Sequence, residues 1–92
     1  MDRNTLSPAQ YAAIESAAFD VTAPLDGCAV IYDGRVARAF VAAGLAVANP
    51  EYREVINAGG GVRRRYGVEY RFNAAGAEFV REVMGANMPR RA

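Results

Sequence analysis

The chain has 92 residues, of which 52% are hydrophobic and 23% are charged, with a net charge of +1 at pH 7. This composition predicts one globular domain with a modest core and excludes an intrinsically disordered chain. No apolar run approaches the ~18–20 residues that a membrane-spanning helix needs, and the first residues do not resemble a signal peptide. A single cysteine excludes an internal disulfide. We therefore expect a cytoplasmic protein that does not bind a membrane.

Arginine supplies the whole basic charge, since all 11 basic residues are arginine against 10 acidic residues. The simplest explanation of this bias is the codon usage of a GC-rich genome, because composition alone does not show selection for binding. A net charge of +1 lacks the basic excess of many nucleic-acid-binding domains. Any electrostatic binding site must therefore come from local clustering of arginines.

The first helix is predicted at 8–19. Ser7 is a suitable N-cap, Pro8 suits the first helical position, and Gln10 completes a capping box with Ser7. The apolar residues at helical spacing, which we expect on its buried face, are Tyr11, Ile14, Ala18 and Phe19. A loop at 22–27 follows, indicated by a proline and an Asp-Gly pair.

A short buried strand at 28–32 and a second helix at 34–43 are predicted next. The run at 28–32 contains β-branched and aromatic residues and lies between two Asp-Gly pairs. Asp33 can cap the helix and Gly44 can end it. The residues expected on its buried stripe are Val36, Ala39, Phe40 and Ala43. Arg38 lies almost opposite that stripe.

The segment 45–56 permits two interpretations. In one, Asn49, Pro50 and the residues after them begin a short helix. In the other, which we prefer, 45–56 is one arm of a hairpin that turns near 58–60. The expected cross-strand pairs are then Leu45 with Phe72, Val47 with Tyr70, Pro50 with Gly67 and Val55 with Val62.

The returning arm of that hairpin is the clearest strand, at 62–72. Alternate residues of this strand are apolar and are expected to face the core: Val62, Tyr66, Val68, Tyr70 and Phe72. Its other face is charged. Asn73 can then cap a third helix at 74–84, which Gly85 ends. The apolar side of that helix is predicted to comprise Phe79, Val80, Val83 and Met84.

Two stretches resemble winged-helix transcription regulators of the MarR and PadR type. Residues 34–47, GRVARAFVAAGLAV, are similar to the recognition helix with its small-residue turn and the Gly-Leu pair that leads into the wing. Residues 70–80, YRFNAAGAEFV, are similar to the returning wing strand and the next helix, where the family often has Tyr-Arg-Leu-Thr-x-x-Gly. Phe72 and Asn73 stand at the leucine and threonine positions and keep their physical roles.

The resemblance implies an α+β fold, a small winged helix in which three helices pack on a short antiparallel sheet with a β-hairpin wing. Such domains normally have a further helix before the recognition helix, which completes a helix-turn-helix. Here either 24–32 forms a distorted helix or the helix-turn-helix is incomplete. We expect one domain over 1–92, with flexible ends at 1–6 and 88–92.

Six arginines are candidates for contact with nucleic acid: Arg35, Arg38, Arg63, Arg64, Arg65 and Arg71. Arginines on a helix can read guanine in the major groove. Arginines beside the glycines at 59–61 can follow the phosphate backbone or enter a minor groove. The alternative is that each arginine is an ordinary solvated charge. The adjacent charges at 63–65 repel one another, which favours a functional reason for that cluster.

The sequence has no pattern typical of an enzyme. It contains no histidine, so its single cysteine, Cys28, has no histidine to activate it. The glycines at 59–61 are not followed by the Lys-Ser/Thr pair of a P-loop. The carboxylates form no pattern that suggests paired acid-base catalysis. We therefore expect a non-enzymatic protein without a cofactor or a metal site.

The leading hypothesis is a protein that binds double-stranded DNA as a small transcriptional regulator or accessory factor. It would form a homodimer through the first or the last helix, because small winged helices often bind paired half-sites. The alternative is a protein-interaction module on the same scaffold, such as a small phage-type inhibitor or adaptor that docks its arginine hairpin on an acidic partner. The near-neutral net charge favours this alternative, while the arginine cluster is compatible with both.

Overall fold

A computed structural model describes residues 1–19, 29–58 and 61–88, and of 51–58 and 61–66 it describes the backbone. Its helices and strands are α1 (Pro8–Phe19), β1 (Val30–Ile31), α2 (Gly34–Ala42), β2 (Ala46–Ala58), β3 (Gly61–Phe72) and α3 (Ala74–Met84). Single 3-10 turns lie at Arg3–Thr5 and Gly85–Asn87. The expected α+β class, with three helices and an antiparallel sheet, is confirmed for these residues. The loop predicted at 22–27 lies outside them.

Polar side chains cap each helix as the sequence predicts. The backbone N–H of Gln10 donates to the Ser7 hydroxyl at 3.1 Å, and the backbone N–H of Ser7 donates to the Gln10 side chain at 3.0 Å. The Asp33 carboxylate accepts two backbone N–H groups in the first turn of α2. The Asn73 side chain accepts from the backbone N–H of Gly76 at 2.8 Å. These bonds satisfy donors that a helix start otherwise leaves unpaired.

Strand β3 is the centre of the sheet, with β1 on one side and β2 on the other, and both pairings are antiparallel. Strand β2 runs continuously to Ala58, which pairs with Gly61. The hairpin interpretation of this segment is therefore confirmed, and the alternative of a short helix is wrong.

The register of the hairpin differs from the predicted one. Ala46, not Leu45, pairs with Phe72, and the pairing shifts again between Asn49 and Tyr52. Asn49 lies opposite Glu69 and Tyr52 opposite Gly67, so β2 carries one extra residue at a bulge. Proline has no N–H to give to a sheet, which explains why the bulge falls beside Pro50.

The core lies between the helices and one face of the sheet. Its largest fully buried side chains are Ile14, Phe40, Phe72 and Val80, one from each helix and one from β3. The sheet contributes Ile31, Ala46 and Phe72, which share a face by register and belong to the same buried cluster. The helices in the described part of the chain therefore cover this one face.

Helix α1 buries its small residues and exposes its aromatic ones. Ala17 and Ala18 are buried beside Ile14, whereas Tyr11 is 40% exposed and Phe19 is 53% exposed. The prediction that the two aromatic residues face the core is wrong. Alanines allow a closer approach of α1 to its neighbours than aromatic rings would at the same positions.

Helix α2 is rotated slightly from the predicted orientation. Val36 and Phe40 are buried as expected, but Ala37 is the third buried residue, while Ala39 is half-buried and Ala43 is exposed. The phenyl ring of Phe40 fixes the orientation of the helix, and Ala37, three residues earlier, lies on the same side as that ring.

The hairpin extends beyond the helices. Phe72 is buried and Tyr70 is half-buried, but Val68 is 47% exposed, so its expected place in the core is wrong. From Val68 to the end of the hairpin at Gly61 the strand covers roughly 20 Å. The radius of gyration is 14.2 Å and the longest axis is 45 Å, whereas a compact domain of this length has a radius of gyration of about 12 Å.

Helix α3 makes its closest approach to the rest of the chain at Gly76. A Cβ at this position would lie 1.9 Å from the carbonyl oxygen of Leu45 and 2.8 Å from Cδ1 of Phe72. The same carbonyl oxygen accepts the backbone N–H of Asn73 at 3.1 Å. The absence of a side chain at Gly76 therefore allows the start of α3 to dock against the turn between α2 and β2.

We predict that Gly76→Ala lowers the free energy of unfolding by about 2–3 kcal/mol, because the new methyl group overlaps backbone and cannot be relieved by rotating a side chain. Gly67→Ala is the matched control, since a Cβ there meets nothing within 4 Å, and it should change stability by less than about 0.5 kcal/mol. Urea denaturation followed by circular dichroism measures both. Equal stability of the two variants would contradict the close approach at Gly76.

Candidate nucleic-acid interface

Helix α2 is preceded directly by a strand. Strand β1 ends at Ile31 and α2 begins at Gly34, so two residues separate them. In the described range, the helix before α2 in the chain is α1, which ends at Phe19. Residues 29–32 therefore do not form the distorted helix considered as one alternative, and 24–28 lie outside the described residues. A helix-turn-helix needs two helices joined by a short turn, and α2 lacks this arrangement with its described neighbours.

The two candidate arginines of α2 lie on its exposed side. Arg35 and Arg38 are both exposed, and the Nε of Arg38 donates to the carbonyl oxygen of Gly34 at 3.2 Å. Ala42, four residues after Arg38, is exposed on the same side. This surface combines two cations with a small side chain, so a partner could approach the helix closely.

Arg71 forms an ion pair within the sheet. Its Nε donates to Oε1 of Glu69. The side chain of Glu69 is only 10% exposed, while that of Arg71 is 39% exposed. The sequence signal for this pair was an acid two residues before the arginine on the same strand face. The pair stabilises the sheet and offsets the charge that Arg71 would offer to a phosphate.

The three remaining candidates lie in the part of the hairpin beyond the bulge. In the backbone register, Arg63 is opposite Ile56, Arg64 is opposite Val55 and Arg65 is opposite Glu54. Strand geometry places them roughly 20–25 Å along β3 from Arg71. The six predicted arginines therefore occupy three places: the exposed side of α2, the base of the hairpin and the end of the hairpin.

A surface cavity of about 270 Å³ opens between the N-terminal turn and α3. Arg3, Glu78 and Glu82 contribute its charged groups. Nη1 of Arg3 lies 3.8 Å from Oε1 of Glu82, so the positive charge is compensated inside the cavity. The two carboxylates would repel a phosphate, and this cavity is therefore not part of the candidate interface. Among the described residues, no group of three or more acidic or cysteine side chains could hold a metal ion.

Comparisons with known proteins do not identify a family. No protein-family model matches the chain, and neither a curated protein nor a solved structure matches it. The resemblance to the MarR and PadR type therefore stays a prediction from two sequence stretches. None of the helices in the described part of the chain has the length and apolar character needed to cross a bilayer.

We predict that Arg71→Ala lowers the free energy of unfolding by about 1–2 kcal/mol, because the largely buried Glu69 carboxylate loses a charge-assisted hydrogen bond. Arg35→Ala, which removes the same charge from an exposed position, should change stability by less than about 0.5 kcal/mol. Thermal or urea unfolding of the two variants gives the comparison. A loss for Arg71→Ala no larger than that for Arg35→Ala would show that the ion pair does not stabilise the sheet.

Proposed function

We propose that the protein binds double-stranded DNA through the end of its hairpin, at Arg63, Arg64 and Arg65. The observation that carries this proposal is the length of β2 and β3, which continue as a paired ribbon beyond the helices. A two-stranded ribbon has the width to enter a DNA groove or to lie along its backbone. Three arginines at the free end of such a ribbon are suited to bidentate contacts with phosphate or guanine.

Local charge, and not total charge, supports this proposal. The whole chain carries a net charge of +1, which gives little long-range attraction to DNA. The cluster at 63–65 places three cations at the end that is farthest from the helices. Contacts made there would be strongly salt-dependent, because each neutralised phosphate releases condensed counterions.

Helix α2 is proposed as a second contact. Arg35 and Arg38 are exposed on one side of the helix, and the resemblance of 34–47 to a winged-helix recognition helix supports the same role. A small transcriptional regulator or accessory factor would use both elements. The exposed Tyr11 and Phe19 of α1 make that helix the better candidate for a homodimer face than α3, whose apolar side is buried.

A protein-interaction module is the second candidate function. The α2 helix lacks a bracing helix in the described range, and Val47, on the face of the sheet away from Phe72, is 54% exposed. In this case the arginine hairpin would dock on an acidic protein surface, as in a small phage-type inhibitor or adaptor. Such a partner would be recognised by the same cations but without the counterion release that duplex DNA gives.

We predict that wild-type protein binds a short labelled duplex of random sequence with a slope of log K against log salt of about −4 to −5, given about five phosphate contacts. Replacing Arg63, Arg64 and Arg65 together by alanine should reduce the magnitude of that slope by about 1–2. Fluorescence anisotropy between about 50 and 200 mM salt measures the slopes.

The matched control is the double variant Arg3→Ala/Arg81→Ala. It removes charges that are paired with Glu82 and Glu78 on α3 and not on the hairpin, and it should leave the slope within about half a unit of wild type. Absence of wild-type binding at the lowest salt, or a triple variant that binds like wild type, would rule out DNA binding by the hairpin and leave the protein-interaction alternative.

A further inference from the structure

The two faces of the hairpin end differ in charge. Residues directly opposite each other in an antiparallel pair share a face, and residues two apart along one strand do as well. The register beyond the bulge therefore assigns every residue of the hairpin end to one of two faces. This assignment depends on the backbone pairing and not on any side-chain position.

One face carries arginines without an acid. Arg64 pairs with Val55, and Arg53 pairs with Tyr66. Since Arg53 and Val55 are two residues apart, both arginines lie on this face, which also carries Tyr66. We name it the basic face. Arg53 was not among the candidates from sequence, although the predicted register, which differs here from the observed one by two residues, also places it on the face of Arg64.

The other face carries arginines together with an acid. Arg65 pairs directly with Glu54, and Arg63 pairs with Ile56, two residues further along β2. The acid on this face lowers the net positive charge of the face and repels a phosphate. We name this the mixed face.

We propose that the basic face is the side of the hairpin that contacts DNA, with Arg53 as a further contact residue beside Arg64. This rests on the proposed DNA binding and specifies which part of the hairpin performs it. Phosphate contacts then come from one arginine on each strand. The aromatic ring of Tyr66 is the other group on this face that can stack on an exposed base or sugar.

The test compares Arg53→Gln with Arg65→Gln. Both variants remove one positive charge from the same hairpin, and glutamine keeps most of the side-chain length, so the face is the main difference between them. We expect Arg53→Gln and Arg64→Gln each to weaken binding to the random duplex by about tenfold at low salt and to reduce the slope by about one unit. Arg65→Gln should weaken binding by less than about twofold.

A second measurement uses the wild-type protein, so it does not depend on the folding of any variant. Phenylglyoxal modifies accessible arginines, and mass spectrometry of digested protein reports modification at each position with and without duplex. Protection of Arg53 and Arg64 above that of Arg65 supports the basic face. Protection of Arg65 and Arg63 without Arg53 overturns it while leaving DNA binding intact, whereas absence of wild-type binding overturns both proposals.

Discussion

The phenyl rings of Phe40 and Phe72 meet at the centre of the molecule, with ring centroids 5.1 Å apart and planes at 69°. Both side chains are fully buried, and an edge-to-face pair of this kind adds to the stability that comes from burying apolar surface. The contact joins α2 to the central strand. Next to it, Leu45 donates its backbone N–H to the Phe40 carbonyl at 2.9 Å, so the turn after α2 is fixed against the same core.

The hairpin of β2 and β3 projects from this core and is attached to it at one end. The helices cover the face of the sheet that contains Phe72, and the cover ends before Val68. The bulge beside Pro50 lies at the same level, where the hairpin leaves the helices. Beyond the bulge the two strands depend on their own hydrogen bonds and cross-strand pairs for stability. These interactions stabilise a hairpin less than packing against a hydrophobic core does. The fold therefore consists of a packed body and an extended arm whose sequence carries arginines.

Interactions between residues close in sequence made most of the helices and strands predictable. The pairing between segments that are distant in sequence could not be predicted in the same way. Ser7, Asp33 and Asn73 signalled their helices because capping involves residues within one turn. The hairpin followed from alternation in β3, but its register did not, since one inserted residue at a bulge shifts every later pair. Beyond the bulge the observed pairing differs from the predicted one by two residues, which leaves Arg53 and Arg64 on the same face in both. Arg71 was predicted as a nucleic-acid contact, and its spacing from Glu69 could have indicated their ion pair, but the burial of Glu69 could not be foreseen from sequence.

The most direct test of the division between body and arm is an NMR titration of ¹⁵N-labelled protein with a short duplex at low salt. We expect amide shifts to concentrate in the hairpin end, at 52–58 and 61–67, with smaller changes in the first turn of α2. The amide resonances of α1 and α3 should keep their chemical shifts. Shifts centred on α1 or α3, or no shifts at any position, would contradict a DNA-binding arm on a packed body.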